Sequence, residues 1–159
     1  MVVALAVDIG GTKLAAGLVT DHGEVLGRRV APTVRDAGPE ALWGRLADLV
    51  ALVVPVGDAP RASGGPPTVV CGVGCGGPMA PGGETVSPLN IPAWRGFPLR
   101  SRLAELVGMP VHVDNDAKAL ALGEGWVGAA RGVADYVAMV VSTGVGGGIV
   151  LDGRLLDGA

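Results

Sequence analysis

Residues 113–125 read VDNDAKALALGEG and set Asp114, Asn115 and Asp116 in a row between an apolar strand and an alanine-rich run. Side chains of these types cap helix N-termini, because their oxygens accept from the unpaired amides of the first turn. A carboxylate at such a place can also take a proton from a bound hydroxyl group. Cap and base remain alternatives on this stretch alone. A further carboxylate, Asp8, opens DIGGTK at residues 8–13. This turn joins two strands, whereas a Rossmann or P-loop fingerprint requires a strand followed by a helix. A Gly-Gly turn between strands can still present backbone N–H groups, the Thr12 hydroxyl and the Lys13 ammonium to an anion. Asp8 would repel a phosphate, but it suits a magnesium ion lying between carboxylate and phosphate. A plain hairpin with Asp8 and Lys13 solvated fits the hexapeptide equally well. The loop STGVGGG at residues 142–148 also joins two strands and carries Thr143. It suits close approach to phosphate, and it suits a flexible hairpin. Two such loops, each leaving a buried strand, form the pattern of two lobes gripping a nucleotide's phosphates.

These residues need elements to position them. Apolar runs at residues 2–9, 13–20 and 24–32, separated by short polar turns, predict three strands in antiparallel hairpins. Pro39 suits the first position of a helix, with Glu40 behind it. Leu42, Leu46, Leu49, Val50 and Val53 share one face of that helix, which Pro55 closes. Residues 56–67 read as a Gly/Pro loop, and 68–73 as a buried strand ending in Gly74, Gly76 and Gly77. Residues 78–97 read as irregular. A short helix at 98–107 is stopped by Gly108 and Pro110, and 111–113 form a strand. The run 117–130 is helical, and its Gly123, Gly125 and Gly128 suggest packing too tight for a side chain, since each costs about 1 kcal/mol against Ala. Strands at 135–141 and 149–151 and a hairpin just begun complete the chain. The order is α/β, with an antiparallel extension on a sheet otherwise crossed over by helices.

Composition narrows the functions. The 159 residues are 49% hydrophobic and 17% charged, which excludes a disordered chain and allows one ordinary domain with part of another. The mean hydropathy of +0.49 invites a search for membrane spans, but the longest apolar runs are too short to cross a bilayer. The net charge is −3 without a basic tract, so nucleic-acid binding is not expected. Cys71 and Cys75 in an extended strand lie roughly 13 Å apart, too far for a disulfide. No histidine stands near them to complete a zinc site. Two buried reduced thiols and the absence of a basic leader point to the cytoplasm.

The segments VDIGGTKLAAGLV, GVGCGGP, LNIPAW, VDNDAKALALGE and STGVGGGIVLDGRLL come in an order and spacing that resemble the ROK family over nearly the whole chain. That family comprises bacterial sugar kinases, glucokinase and related repressors within the actin/hexokinase/Hsp70 superfold. The resemblance implies an actin-like ATPase, ribonuclease H-like lobe with a mixed sheet over residues 1–114. A second lobe is begun by residues 115–159. It implies ATP and Mg²⁺ as cofactors, with Asp8 at the metal. Gly10, Gly11, Thr12 and Lys13 would form the first phosphate loop, and Thr143, Gly144 and Gly146 the second. Asn115 would bond a sugar hydroxyl, with Gly77 and Asn90 also on the sugar side, and Asp116 would be the general base. Lys118 stands where the family more commonly has Asn. The family's zinc motif, its downstream glutamate and histidine sugar contacts and its adenine pocket have no counterpart in these residues, so the chain reads as an N-terminal fragment or a truncated product.

Residue by residue, plainer roles stand beside these. Asp114 is the expected helix cap, His112 a structural strand residue, His22 a solvated turn residue, and Glu124 structural. Trp94 and Trp126 are expected in cores, Arg100 and Arg102 in solvent. Asp8 and Asp116 favour an ATP-dependent hexose kinase over a non-catalytic sugar-sensing regulator, whose DNA-binding domain would precede the DIGGTK strand. The high hydropathy suggests apolar surface meant for a further lobe or a partner, a homodimer of the full-length protein included. One lobe cannot enclose both substrates, so the 159-residue chain alone is expected to show no sugar phosphorylation. ATP- and Mg²⁺-dependent turnover by this chain, followed with a coupled assay, would contradict that.

Overall fold

In strand β1 (Val3–Ile9) every second residue, Val3, Leu5, Val7 and Ile9, is buried, while Ala4, Ala6 and Asp8 face the other way. Side chains alternate faces along a strand, so one period-two pattern builds the core and sends Asp8 out of it. A computed structural model describes residues 1–34, 36–54, 68–141 and 144–157. Within it, β1 pairs antiparallel with β2 (Lys13–Thr20), and β2 with β3 (Val25–Pro32). On its other side β1 pairs parallel with β4 (Thr68–Cys75), and β4 with β5 (Val111–Asn115). The five strands lie in the order β3-β2-β1-β4-β5, the mixed sheet expected. The expected loop at 56–67, Pro55 and Thr143 lie outside the described residues.

Helices α1 (Pro39–Ala51) and α2 (Leu99–Val107) cover the apolar face. Leu42, Leu46, Leu49 and Val50 of α1 join Leu99, Leu103 and Val107 of α2 in one cluster with Leu5, Val7, Cys71 and Val73. Each leucine so buried contributes about 1.5–3 kcal/mol relative to exposure. Gly108 ends α2 at φ 63°, a left-handed conformation that glycine takes without steric cost. Cys71 and Cys75 are free thiols in this core, and burial pushes both up to about 12. Trp94, fully buried, stacks on Phe97 with ring centroids 4.3 Å apart and donates its Nε1–H to the Pro39 carbonyl at 3.3 Å. Arg100 and Arg102 are not simply solvated. Arg100 pairs with Glu84, and Arg102 makes two 2.7 Å bonds to Glu40 while lying 4.6 Å above the Trp43 ring.

Helix α3 (Asp116–Val127) then leads to a second sheet, β6 (Tyr136–Val141), β7 (Val145–Leu151) and β8 (Arg154–Leu155), antiparallel throughout. The glycine run expected to be loop is mostly strand: β7 begins at Val145. Its glycines serve helix packing. A Cβ on Gly146 would sit 3.0 Å from that of Ala117, and one on Gly148 only 2.5 Å from that of Ala121. Within α3 the expectation of tight packing holds at Gly125, where a Cβ would meet the Tyr136 hydroxyl at 2.1 Å, but not at Gly123, which faces open space. Trp126, expected in a core, is half exposed, because it lies on the side of α3 that neither sheet covers. The outer face of the second sheet is apolar and exposed at Val137, Met139, Val141 and Val145. Among the described residues no helix is long and apolar enough to cross a membrane.

The two glycine environments give opposite expectations. Gly148→Ala should cost about 1–3 kcal/mol through overpacking against the α3 backbone, whereas Gly123→Ala should be neutral or stabilise by up to about 1 kcal/mol. Urea unfolding of the two variants beside the parent chain measures both.

Candidate active site

The strand register brings the candidate residues together. Asp8 lies beside Gly74, and Gly74 beside Asp114, while the next row aligns Ile9, Cys75 and Asn115. The same alternation that buries Val73, Cys75, Val111 and Val113 directs Asp8, Gly74, His112 and Asp114 to the opposite face. The glycines of β4 leave that face low, and a cleft of about 1030 Å³ opens over it. The first glycine turn borders this cleft with Gly10, Gly11 and Thr12. Gly77, Asn90, Asn115 and Asp116 line it as well, as do Gly144 and, in the second sheet, Gly146. Of the residues singled out in the sequence, Lys13 is not among the lining residues, although its charge reaches Asp8.

Asn115, not Asp114, caps α3. Its side-chain oxygen accepts from the amides of Ala117 at 3.0 Å and Lys118 at 3.3 Å. Strand β5 runs two residues further than expected, so the extended-to-helical switch falls at Asn115 and puts Asp114 one position too early to cap. Asp114 instead accepts from the Asn115 amide at 2.7 Å and lies 3.8 Å from the Lys118 ammonium, which also pairs with Asp157. With its oxygen committed to the helix, the Asn115 amide group has its NH₂ left to offer a ligand. Asp116 occupies the first helical position, and one of its oxygens accepts from the Ala117 amide at 2.9 Å. Helix α3 begins close over β4: a Cβ on Gly74 would lie 3.5 Å from the Asp116 Cα.

The turn at 10–13 is held from both sides. The Gly10 amide donates to the Lys13 carbonyl at 3.0 Å, and the Thr33 hydroxyl donates to the Gly10 carbonyl at 2.7 Å. The Gly10 amide is thus spent on the hairpin, while the Thr12 hydroxyl has no hydrogen-bond partner among the described residues. Gly11 is required by contact: a Cβ there would sit 2.4 Å from that of Asn90. Asp8 meets solvent, yet the crowding of the cleft around its carboxyl is the largest influence on it and pushes its pKa up from the usual value. Lys13 and Arg28 oppose that rise, and the charge of Asp116 adds to it. Two carboxylates distant in sequence therefore share one electrostatic environment.

The sequence pattern of the ROK family matches residues 4–159. The chain belongs to the ROK family. It is 37% identical over 158 residues to a glucokinase of Thermotoga maritima, covering 97% of this chain and 46% of that protein. It is 38% identical over 157 residues to an N-acetylmannosamine kinase of Escherichia fergusonii, covering 97% of this chain and 49% of that protein. A solved structure of a ROK family glucokinase from Streptomyces griseus, in complex with glucose and AMPPNP, superposes with a TM-score of 0.82 at 35% identity, over 99% of this chain and 47% of that one. The chain spans about half the length of the relatives it matches, and its fold is the actin-like ATPase fold of ROK sugar kinases.

Some cleft residues were not singled out from the sequence. His112 was expected to be merely structural and Asp114 merely a cap, but both line the cleft. Alternation with Val111 and Val113 was the available signal; it names the face but not what lies over it. Leu89 is 75% exposed at the rim, and nothing in its neighbours distinguishes it from a loop leucine. The cap assignment has a direct test. Asn115→Ala should cost about 0.5–2 kcal/mol in thermal or urea unfolding while Asn115→Asp keeps most of the stability. Asp114→Ala should cost less than Asn115→Ala.

Proposed function

We propose that this chain supplies the hexose-phosphorylating site of an ATP-dependent ROK sugar kinase. The observation that carries the reading is the convergence of Asp8, Asp116, the Asn115 amide and the first glycine turn on one cleft. In this reading Asp116 accepts the proton of a sugar hydroxyl as that oxygen attacks the γ-phosphorus of ATP and ADP leaves. Phosphoryl transfer asks mainly for positioning and charge stabilisation, with a base to orient the attacking hydroxyl. The bond from the Ala117 amide fixes the Asp116 carboxylate at the head of α3, which is the orienting element such a base needs. The Asn115 NH₂ would donate to a neighbouring sugar hydroxyl, with Asn90 and Gly77, which line the same cleft, also on the sugar. Gly10, Gly11 and Thr12 would face the phosphates from the first glycine turn, with Lys13 acting through its charge on Asp8. Gly144 and Gly146 would face them from the other loop, to which Thr143 would add its hydroxyl.

The donor set suits Mg²⁺. Among the described residues no group of three or more His, Cys, Asp or Glu side chains could hold a metal by itself. Mg²⁺ is commonly held through one or two carboxylates, with phosphate oxygens and waters completing its shell. Asp8, carrying a desolvated carboxyl near Asp116, is the residue that would hold it, and the ion would neutralise charge on the transferring phosphates. Helix α3 supports a lobe boundary between residues 114 and 115, because it carries Asp116 while lying on the second sheet. The partners of this reading are a hexose and ATP in the cytoplasm, without nucleic acid or membrane, in a full-length protein that can pair as a homodimer.

A panel of hexoses and N-acetylhexosamines assayed with ATP and Mg²⁺ on the full reading frame carrying this chain tests the activity. Within it, Asp116→Asn should lower kcat by about 10²–10⁴ with little change in stability. Near-normal turnover by that variant would reject Asp116 as the base.

A further inference from the structure

The turn at residues 88–94 brings Leu89 and Asn90 to the cleft, and its two ends are held very differently from its tip. Ile91 and Trp94 are buried in the core, at 1% and 0% exposure, and fasten the underside of the turn. The Ile91 amide donates to the Pro88 carbonyl at 3.1 Å, and the Trp94 amide to the Ile91 carbonyl at 3.0 Å. Leu89 and Asn90 at the tip are exposed and have no such apolar anchor. Yet Asn90 packs so close to the first glycine turn that only a glycine fits opposite it, at Gly11. The position of the tip is therefore felt on the phosphate side of the cleft as well as on its own side.

One side chain gathers this turn. Nη1 of Arg95 donates to the carbonyls of Pro88 at 3.0 Å, Ile91 at 3.1 Å and Trp94 at 2.8 Å. The two N–H groups of one guanidinium nitrogen are thus shared among three carbonyls, a three-centre arrangement that fixes the spacing of the turn's two ends. The neighbouring cations are used otherwise: Arg100 and Arg102 pair with Glu84 and Glu40. No ion pair among the described residues involves Arg95. Its hydrogen-bonding capacity goes to backbone. The planar fork of a guanidinium loses less freedom per bond than a lysine ammonium would, so it is the better clamp for carbonyls at fixed positions.

We propose that Arg95 is a positioning residue for the sugar side of the cleft, holding the 88–94 turn so that Leu89 and Asn90 keep their place against Gly11. The proposal rests on the sugar-kinase reading for its effect on catalysis, and on the geometry alone for its effect on the turn. Loosening a turn that binds substrate and transition state equally weakens substrate binding and leaves the chemical step in place.

In the full reading frame, Arg95→Met should raise KM for the hexose by about tenfold, with kcat within about twofold and KM for ATP unchanged. Arg95→Lys should recover part of that loss. Arg102→Met serves as the comparison, because it removes a cation that ties α2 to α1 away from the cleft; it should lower the melting temperature and leave the sugar KM unchanged. Amide hydrogen exchange at Ile91 and Trp94 should quicken by about tenfold in Arg95→Met and not in Arg102→Met. An unchanged sugar KM, or a KM for ATP and a melting temperature that shift together as for a general loss of stability, overturns the positioning role. Unchanged exchange at Ile91 and Trp94 overturns it independently of any assay. If the parent protein phosphorylates no hexose, the kinase reading falls, and the exchange result still decides whether Arg95 holds the turn.

Discussion

The close seating of α3 between two glycine-bearing strands is the constraint on which the cleft depends. At its N-terminus the helix passes near β4, with Gly74 beneath Asp116, and from Ala117 to Ala121 it rests on Gly146 and Gly148 of β7. A Cβ at Gly74 would meet Asp116 only at ordinary contact distance, whereas one at Gly148, and to a lesser degree at Gly146, would lift the helix from the second sheet. Because interiors pack like solids, such a lift is not absorbed by small adjustments. The candidate base is therefore carried by an element whose height above the second sheet is set by the absence of side chains at Gly146 and Gly148. Asn115 completes the arrangement by capping the helix at the residue where β5 ends, so strand, cap and candidate base follow one another without a loop between them.

The five-stranded sheet shows how one periodicity serves two purposes. On one face valines, leucines and the two cysteines form a dry core with α1 and α2. On the other, Asp8, Gly72, Gly74, His112 and Asp114 leave a low, polar floor. A single-residue slip in any of these strands would exchange the two sets, burying carboxylates and exposing the core. The core is thus what guarantees the cleft, since the cost of burying Asp8 or Asp114 unpaired holds the register in place. The edge of the cleft is built differently, from turns that hydrogen bonds hold in shape: Thr33 on the Gly10 carbonyl, and Arg95 on three carbonyls of the 88–94 turn.

Strands β1 and β2 and helices α1 and α2 were legible from apolar spacing, because their neighbours bury one face and leave the pattern intact. The antiparallel and parallel halves of the sheet followed from connection length: short turns in one half, helices in the other. Residues 142–148 were less legible. Glycine-rich sequence looks the same whether it serves a phosphate, a turn or an overlying helix, and only the position of α3 shows that Gly146 and Gly148 accommodate a helix. Gly123 and Gly125 make the same point within one helix, since open space surrounds the first and the Tyr136 hydroxyl crowds the second.

Residue types and their spacing by themselves singled out Asp8, Asp114, Asn115 and Asp116 as candidate groups near the end of a buried strand or the start of a helix. Alternation along a strand and capping at its end are local properties, readable from a few neighbouring residues. The tertiary structure decided which of three adjacent polar residues caps α3, that Asp8 and Asp116 share one electrostatic environment, and that Asn90 comes against Gly11. These are contacts between segments far apart in the chain, fixed by strand register and by the packing of α3 across both sheets, and no local pattern encodes the distance between them.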